Sequence, residues 1–389
     1  MTLVRPVLAR LVTPHWAERV VSPLHDVLSE SERRAVLAEN ADSYLHVTSD
    51  PLALPEQPGD GPTEDAQARA LQRLLDQGAY RCLSEATLFV YQMRDEAGQQ
   101  TGVVAAVDLA GFTDGRVLGH EQVQEERVEG LVRHYQRVPM RSEMVALFHQ
   151  VDPAVSELTR RICRESPVLE FTDAGGVGQS VWRASREDSA ALVQHLDRHR
   201  HYIADGHHRV AAALRFWERE GRPSNSSVLC ALYPSDQVLL HAFHRRVRGP
   251  VAVPELMAAL DGEFRARPAT GPAVDPGSIG LYAAGAWHVL TARRPRNVPG
   301  TAGLDVTVLD DRVLAPLLGI RGGDPRLEVL PELQDVALAM RACDEDAGVL
   351  FTLHAPRLDD LVSVAERREV MSAKTTYVKP KPRTGIFLQ

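Results

Sequence analysis

The chain has little cysteine: four residues among 389, Cys82, Cys163, Cys230 and Cys343, with no Cys-x-x-Cys spacing. That scarcity excludes a disulfide framework and a zinc ribbon and leaves the thiols as small, reduced, apolar side chains. It also lacks any run of about 18 apolar residues, the length a membrane-spanning helix needs, and the apolar stretch Val7–Val12 is too short for the core of a secretion signal. A cytoplasmic protein with no membrane partner is expected. Basic excess is missing too: the formal net charge is −8 and the pI about 6.0, so no nucleic-acid partner is expected, since such binding relies on clustered Lys and Arg. Repeats and low-complexity tracts are absent, and nothing in the pattern fixes an oligomeric state. What remains is a globular composition, 44% hydrophobic and 25% charged, in a chain long enough for two cores.

The local pattern predicts an α/β protein with mixed sheets and helices. After an extended start, Ser29 and Glu32 have capping-box spacing and predict a helix over Glu30–Glu39. Ser43–Val47 reads as a strand, Pro51–Glu64 as an exposed loop, and Ala66–Gln77 as a helix. Thr87–Met93 and Thr101–Leu109 form a candidate hairpin turning over Asp95–Gly98, and a strand at Arg116–Leu118 leads through His120-Glu121 into a helix ending near Tyr135. A second hairpin is expected over Val168–Phe171 and Ser180–Ala184, followed by a helix over Ser189–Asp197. Strands at Val228–Tyr233 and Val238–Phe243 then complete a first lobe of residues 1–249, with Gly249-Pro250 as the boundary to a smaller α+β lobe of residues 250–389. In that lobe a hairpin around Ala283–Gly285, helices near Asp311–Leu317 and over Leu358–Arg368, and a strand at Val349–Leu353 are expected.

The most informative stretch is Tyr202-Ile203-Ala204-Asp205-Gly206-His207-His208-Arg209. A short apolar strand, Asp-Gly turn chemistry and strong helix formers over Val210–Glu220 predict strand, tight turn and helix. Glycine permits the sharp turn, and the first helical turn presents N–H groups without intrahelical partners, which attract phosphate. Arg209 offers a planar bidentate donor, and His207 and His208 two more donors. Asp205 sits where an N-cap belongs, and the bland alternative is that it only caps the helix while the histidines pack. A metal site built from His207, His208, His120, His241 and His244 competes, although adjacent histidines are poor partners for one ion and zincin spacing is missing. Asp26, Glu121 and Asp205 each stand beside a turn and are the candidate carboxylates, with capping or helix-dipole roles as alternatives. His244-Arg245-Arg246 reads as a strand end, and Lys374–Lys381 as a strand protected by lysines.

Taken in order, Ser22–Leu28, Thr101-Gly102, His120-Glu121, Ile203–Arg209 with Ala211–Ala213, His244-Arg245 and Lys374-Thr375-Thr376-Tyr377 resemble the DUF1015 family. The chain departs from that pattern at Leu24-His25, in the short stretch Glu121–Arg127 and at Ser372-Ala373. The resemblance implies a first lobe related to the ParB/sulfiredoxin-like group, whose members include kinases of free serine. It further implies that Gly206, His207, His208 and Arg209 hold nucleotide phosphates, with His120, His244 and Arg245 as further contacts. The resulting expectation is a small-molecule hydroxyl kinase using ATP or ADP with Mg2+ on a free serine- or threonine-like amino acid. Asp26 or Glu121 would accept the hydroxyl proton or orient the acceptor, and Asp205 would cap the helix and could also hold magnesium. Sequence does not tell whether the second lobe closes over the site, and Lys374 is the residue to watch if it does. A nucleotide-binding switch or adaptor without transfer is the alternative, and a metal-dependent hydrolase using His120, His207 and His208 a third reading.

Overall fold

The computed structural model describes residues 2–24, 28–48, 63–96, 98–294, 299–332, 335–372, 374–379 and 381–389, with backbone alone at 63–65. Asp26, Ala97 in the first hairpin turn and nearly all of the loop expected over Pro51–Glu64 lie outside the described residues.

Local chemistry accounts for most of the elements. Ser29 and Glu32 exchange the reciprocal bonds of a capping box, and the helix Glu30–Glu39 follows. Phe89–Asp95 and Gly98–Asp108 pair antiparallel, as do Leu169–Thr172 and Gly178–Arg183. Two expectations are corrected near the N-terminus. The extended start contains a helix, Pro14–Val20, because Pro14 at its first position has the backbone angle a helix needs. Ser43–Val47 is not a strand: the Ser43 hydroxyl accepts a hydrogen bond from the Leu45 N–H at 3.3 Å, which starts the short helix Leu45–Thr48.

Contacts divide the chain into two units, one of residues 1–119, 123–238 and 380–389, the other of 120–122 and 239–379. The expected boundary at Gly249 is thereby shifted. Strand Leu239–Val247 belongs wholly to the second unit, where it pairs with Leu327–Pro331, Val349–Leu353 and Thr376–Lys379, while the last ten residues return to the first.

The first unit is built on a nine-stranded mixed sheet. Its central strands alternate little and are buried on both faces, and Val90, Val103, Leu147, Ile203, Val210 and Leu232 share one core. Each such side chain contributes roughly 1.5–3 kcal/mol by leaving water. Strand His201–Asp205 lies between Val117–Leu118, parallel to it, and Val145–His149, antiparallel to it. A small sheet of Phe387–Leu388, Arg10–Val12 and Tyr80–Cys82 ties the C-terminus into this unit.

The second unit has a seven-stranded sheet whose core includes Leu281, Leu290, Phe351 and Leu361. Its hairpin Ser278–Ala283 with Ala286–Ala292, strand Val349–Leu353 and helix Leu358–Glu366 follow the sequence pattern closely.

Candidate functional site

The predicted strand, turn and helix are present as His201–Asp205, Gly206 and His207–Arg219. Gly206 holds φ 106°, ψ 25°, a left-handed conformation that a Cβ would strain, and it occupies the N-cap position with no side-chain cap bond. A Cβ there would also stand 3.1 Å from Cζ of Arg209. The expectation that Asp205 caps the helix is therefore corrected. Asp205 ends the strand one residue earlier, and its carboxylate faces cations instead.

Those cations are Arg209, on Oδ2, and Lys381, on Oδ1. Burial pushes the Asp205 carboxyl upward, but Lys381 and Arg209 overcome that effect and hold it well below the usual carboxylate range. With both oxygens engaged, Asp205 does not fit the magnesium role. Arg209 is 8% exposed, and its other terminal nitrogen donates to the Met144 carbonyl, so the guanidinium fastens the helix start to the neighbouring strand region. His207 is buried beside Gly119, where a Cβ would lie 3.2 Å from its Cδ2. His208 accepts the Gln124 N–H on Nε2 at 3.0 Å, so Nδ1 carries the hydrogen of the neutral ring. The result is a glycine-opened helix start flanked by an arginine and a lysine, within one compact unit.

Of the other expected residues, His120, Glu121, His244 and Arg245 belong to the second unit. His120 and Glu121 run beside Met371: the Met371 N–H donates to the His120 carbonyl at 2.7 Å, and Glu121 Oε1 accepts the Lys374 N–H at 3.3 Å. Burial lowers His120 to about 4, so it is neutral at pH 7. His244 and Arg245 do not close a strand as expected but lie within Leu239–Val247, buried because sheet partners flank them on both sides. His244 Nδ1 accepts the Leu353 N–H at 3.3 Å, and Arg245 donates to the carbonyls of Phe243 and Lys374, the latter at 3.0 Å. Arg246 is paired with Glu328 and Asp346. The Lys374 backbone thus joins Glu121 to Arg245, an association that their separation in sequence concealed.

Among the described residues no group of three or more His, Cys, Asp or Glu side chains is arranged to hold a metal ion. No described helix is long and apolar enough to cross a membrane. Sequence reading missed Lys381, 176 positions from its partner Asp205, and the pair of half-buried Arg383 with buried Asp173 at 2.6 Å. The only signal for Lys381 was the basic run Lys379-Pro380-Lys381.

No curated protein matches the chain. Among solved structures, a free serine kinase (E30Q mutant) in complex with AMP is 13% identical, covering 71% of this chain and 87% of that one, with a TM-score of 0.39. SbnI with C-terminal truncation from Staphylococcus aureus is also 13% identical, covering 72% and 84%, with a TM-score of 0.41. A conserved hypothetical protein from Pyrococcus furiosus is 13% identical, covering 73% and 93%, with a TM-score of 0.37. Likeness at this level assigns no activity. The family model is decisive for membership: it matches residues 4–308, and the chain belongs to the family described as "Protein of unknown function (DUF1015)".

Proposed function

We propose that this protein is a nucleotide-dependent phosphotransferase acting on a small hydroxyl compound, a free serine- or threonine-like amino acid, and that the Asp205–Arg209 turn binds the nucleotide phosphates. The observation that carries this reading is the helix start itself. Gly206 opens the helix His207–Arg219 with no side-chain cap, while Arg209 and Lys381 are gathered at the adjoining Asp205. Backbone N–H groups of a first helical turn and nearby cations are the two elements that phosphate recognition combines. Lys381 joins the expected residues in this role, and Asp205 holds the two cations in place without binding metal.

Phosphoryl transfer needs positioning more than covalent chemistry. The substrate hydroxyl oxygen attacks the terminal phosphorus, the bridging P–O bond breaks, the shortened nucleotide leaves, and the hydroxyl proton passes to a carboxylate. Asp26 and Glu121 are the proposed acceptors of that proton. Magnesium, carried by the nucleotide, would offset phosphate charge.

The test is incubation of the full chain with ATP or ADP, magnesium and a panel of free hydroxy amino acids, read by mass spectrometry. A phosphorylated amino acid, lost in Asp26→Asn or Glu121→Gln with nucleotide affinity kept, is the expected result. Nucleotide binding without transfer to any acceptor would replace the kinase by a switch or adaptor, and absence of nucleotide binding would overturn both.

A further inference from the structure

Four histidines gather at the far end of the strand that terminates in Asp205. His201 begins that strand, and the antiparallel register that pairs Tyr202 with Phe148 puts His201 across from His149. Both rings are 0% exposed, and they meet edge to face with centroids 5.6 Å apart. His199 stacks on His149 at 5.3 Å. Asp152, which caps helix Pro153–Ile162, accepts on one oxygen from His195 at 3.2 Å and from His199 at 3.0 Å.

The hydrogen bonds fix which nitrogens bear hydrogen. His149 donates through Nδ1 to the Gln150 carbonyl at 2.7 Å, and His201 through Nε2 to the Leu196 carbonyl at 2.9 Å. That leaves His149 Nε2 and His201 Nδ1 as bare, buried lone pairs with no hydrogen-bond partner among the described residues. A proton arriving at either nitrogen becomes a buried N–H cation with nothing to accept it.

From this geometry we infer that the His149–His201 pair is a proton-operated latch: neutral, it holds strand His201–Asp205 against Val145–His149, and in mild acid it releases that strand. The charged and titratable groups around it are His199 in the preceding loop, His195 at the end of helix Arg186–Leu196, Asp152, and Asp236 in the turn after strand Ser227–Pro234. The neighbour on the other side, Val117, is apolar. Asp152 and Asp236 favour a proton on His149, but burial outweighs them and lowers His149 to about 4, and burial with His149 lowers His201 to about 3. An opened strand restores the ordinary value near 6.5, so the open form binds more protons and gains on the closed one as pH falls below about 6.5. Each histidine then favours opening by roughly tenfold per pH unit until its closed-state value is reached. The latch does not rest on the function proposed above.

The test is ring NMR of the full chain together with amide hydrogen exchange of residues 202–204, corrected for intrinsic rates, from pH 7.5 to 5. Expected are neutral rings at pH 7, hydrogen on Nδ1 of His149 and on Nε2 of His201, and protection that falls steeply below pH 6.5. The double variant His149→Asn with His201→Gln, which keeps both donors to the carbonyls, should lose that acid dependence. Either ring titrating near pH 6.5 with protection intact would overturn the inference from the wild-type chain alone, as would an unchanged acid profile in the variant.

Discussion

The two ends of one five-residue strand use carboxylate and base in opposite ways. At the Asp205 end a buried carboxylate is ionised because Arg209 and Lys381 face it. At the His201 end two buried imidazoles are neutral because no acceptor awaits a second proton on either ring. Burial penalises charge at both ends, and the difference is the partner: a cation beside an acid reverses the penalty, whereas a base beside another base leaves it standing. The same strand is thereby fixed by charge at one end and by the absence of charge at the other.

The comparison is broken most forcefully at the charged end. Asp205→Asn leaves Arg209 and Lys381 beside a neutral amide and should cost about 3–5 kcal/mol, measured by urea unfolding of the full chain. A loss below about 1 kcal/mol would mean the two cations have other adequate partners and the carboxylate is not the organising group. At the histidine end, stability should fall by about 2 kcal/mol for each of His149 and His201 between pH 6.5 and 5, because the folded values lie below the unfolded one and the unfolded chain takes up the protons. Unfolding at a series of pH values, with His149→Asn/His201→Gln as the comparison, measures it, and coincident profiles would contradict it. Smaller effects sharpen the picture. Gly206→Ala should cost roughly 1–2 kcal/mol for the left-handed backbone and weaken nucleotide binding by displacing Arg209, read by unfolding and calorimetry on the same sample. Asp152→Asn keeps an oxygen for the cap bond from the Ala154 N–H but turns an NH2 in place of the oxygen that His195 and His199 share, and should cost about 1 kcal/mol or less, since both histidines remain partly exposed.

What the sequence made legible follows from how local each cause is. The strand, turn and helix at Asp205–Arg209 were readable because an apolar run, an Asp-Gly turn and strong helix formers act over adjacent residues. The capping box at Ser29 and the two hairpins were readable for the same reason. Asp205 was misread as a cap because its true partner, Lys381, arrives from the other end of the chain. The latch was invisible because His201 is ordinary until the sheet register sets His149 opposite it. Strand Leu239–Val247 was placed in the wrong unit because its hydrophobic pattern declares a strand but not which sheet will pair with it.

Phosphate binding by the turn that Gly206 opens is checked by isothermal titration of the full chain with ADP, AMP and adenosine. Affinity should rise with the number of phosphates, and Arg209→Ala and Lys381→Met should each weaken ADP binding by about tenfold or more while changing adenosine binding little. Equal affinity for ADP and adenosine, or ADP binding untouched by both substitutions, would contradict it.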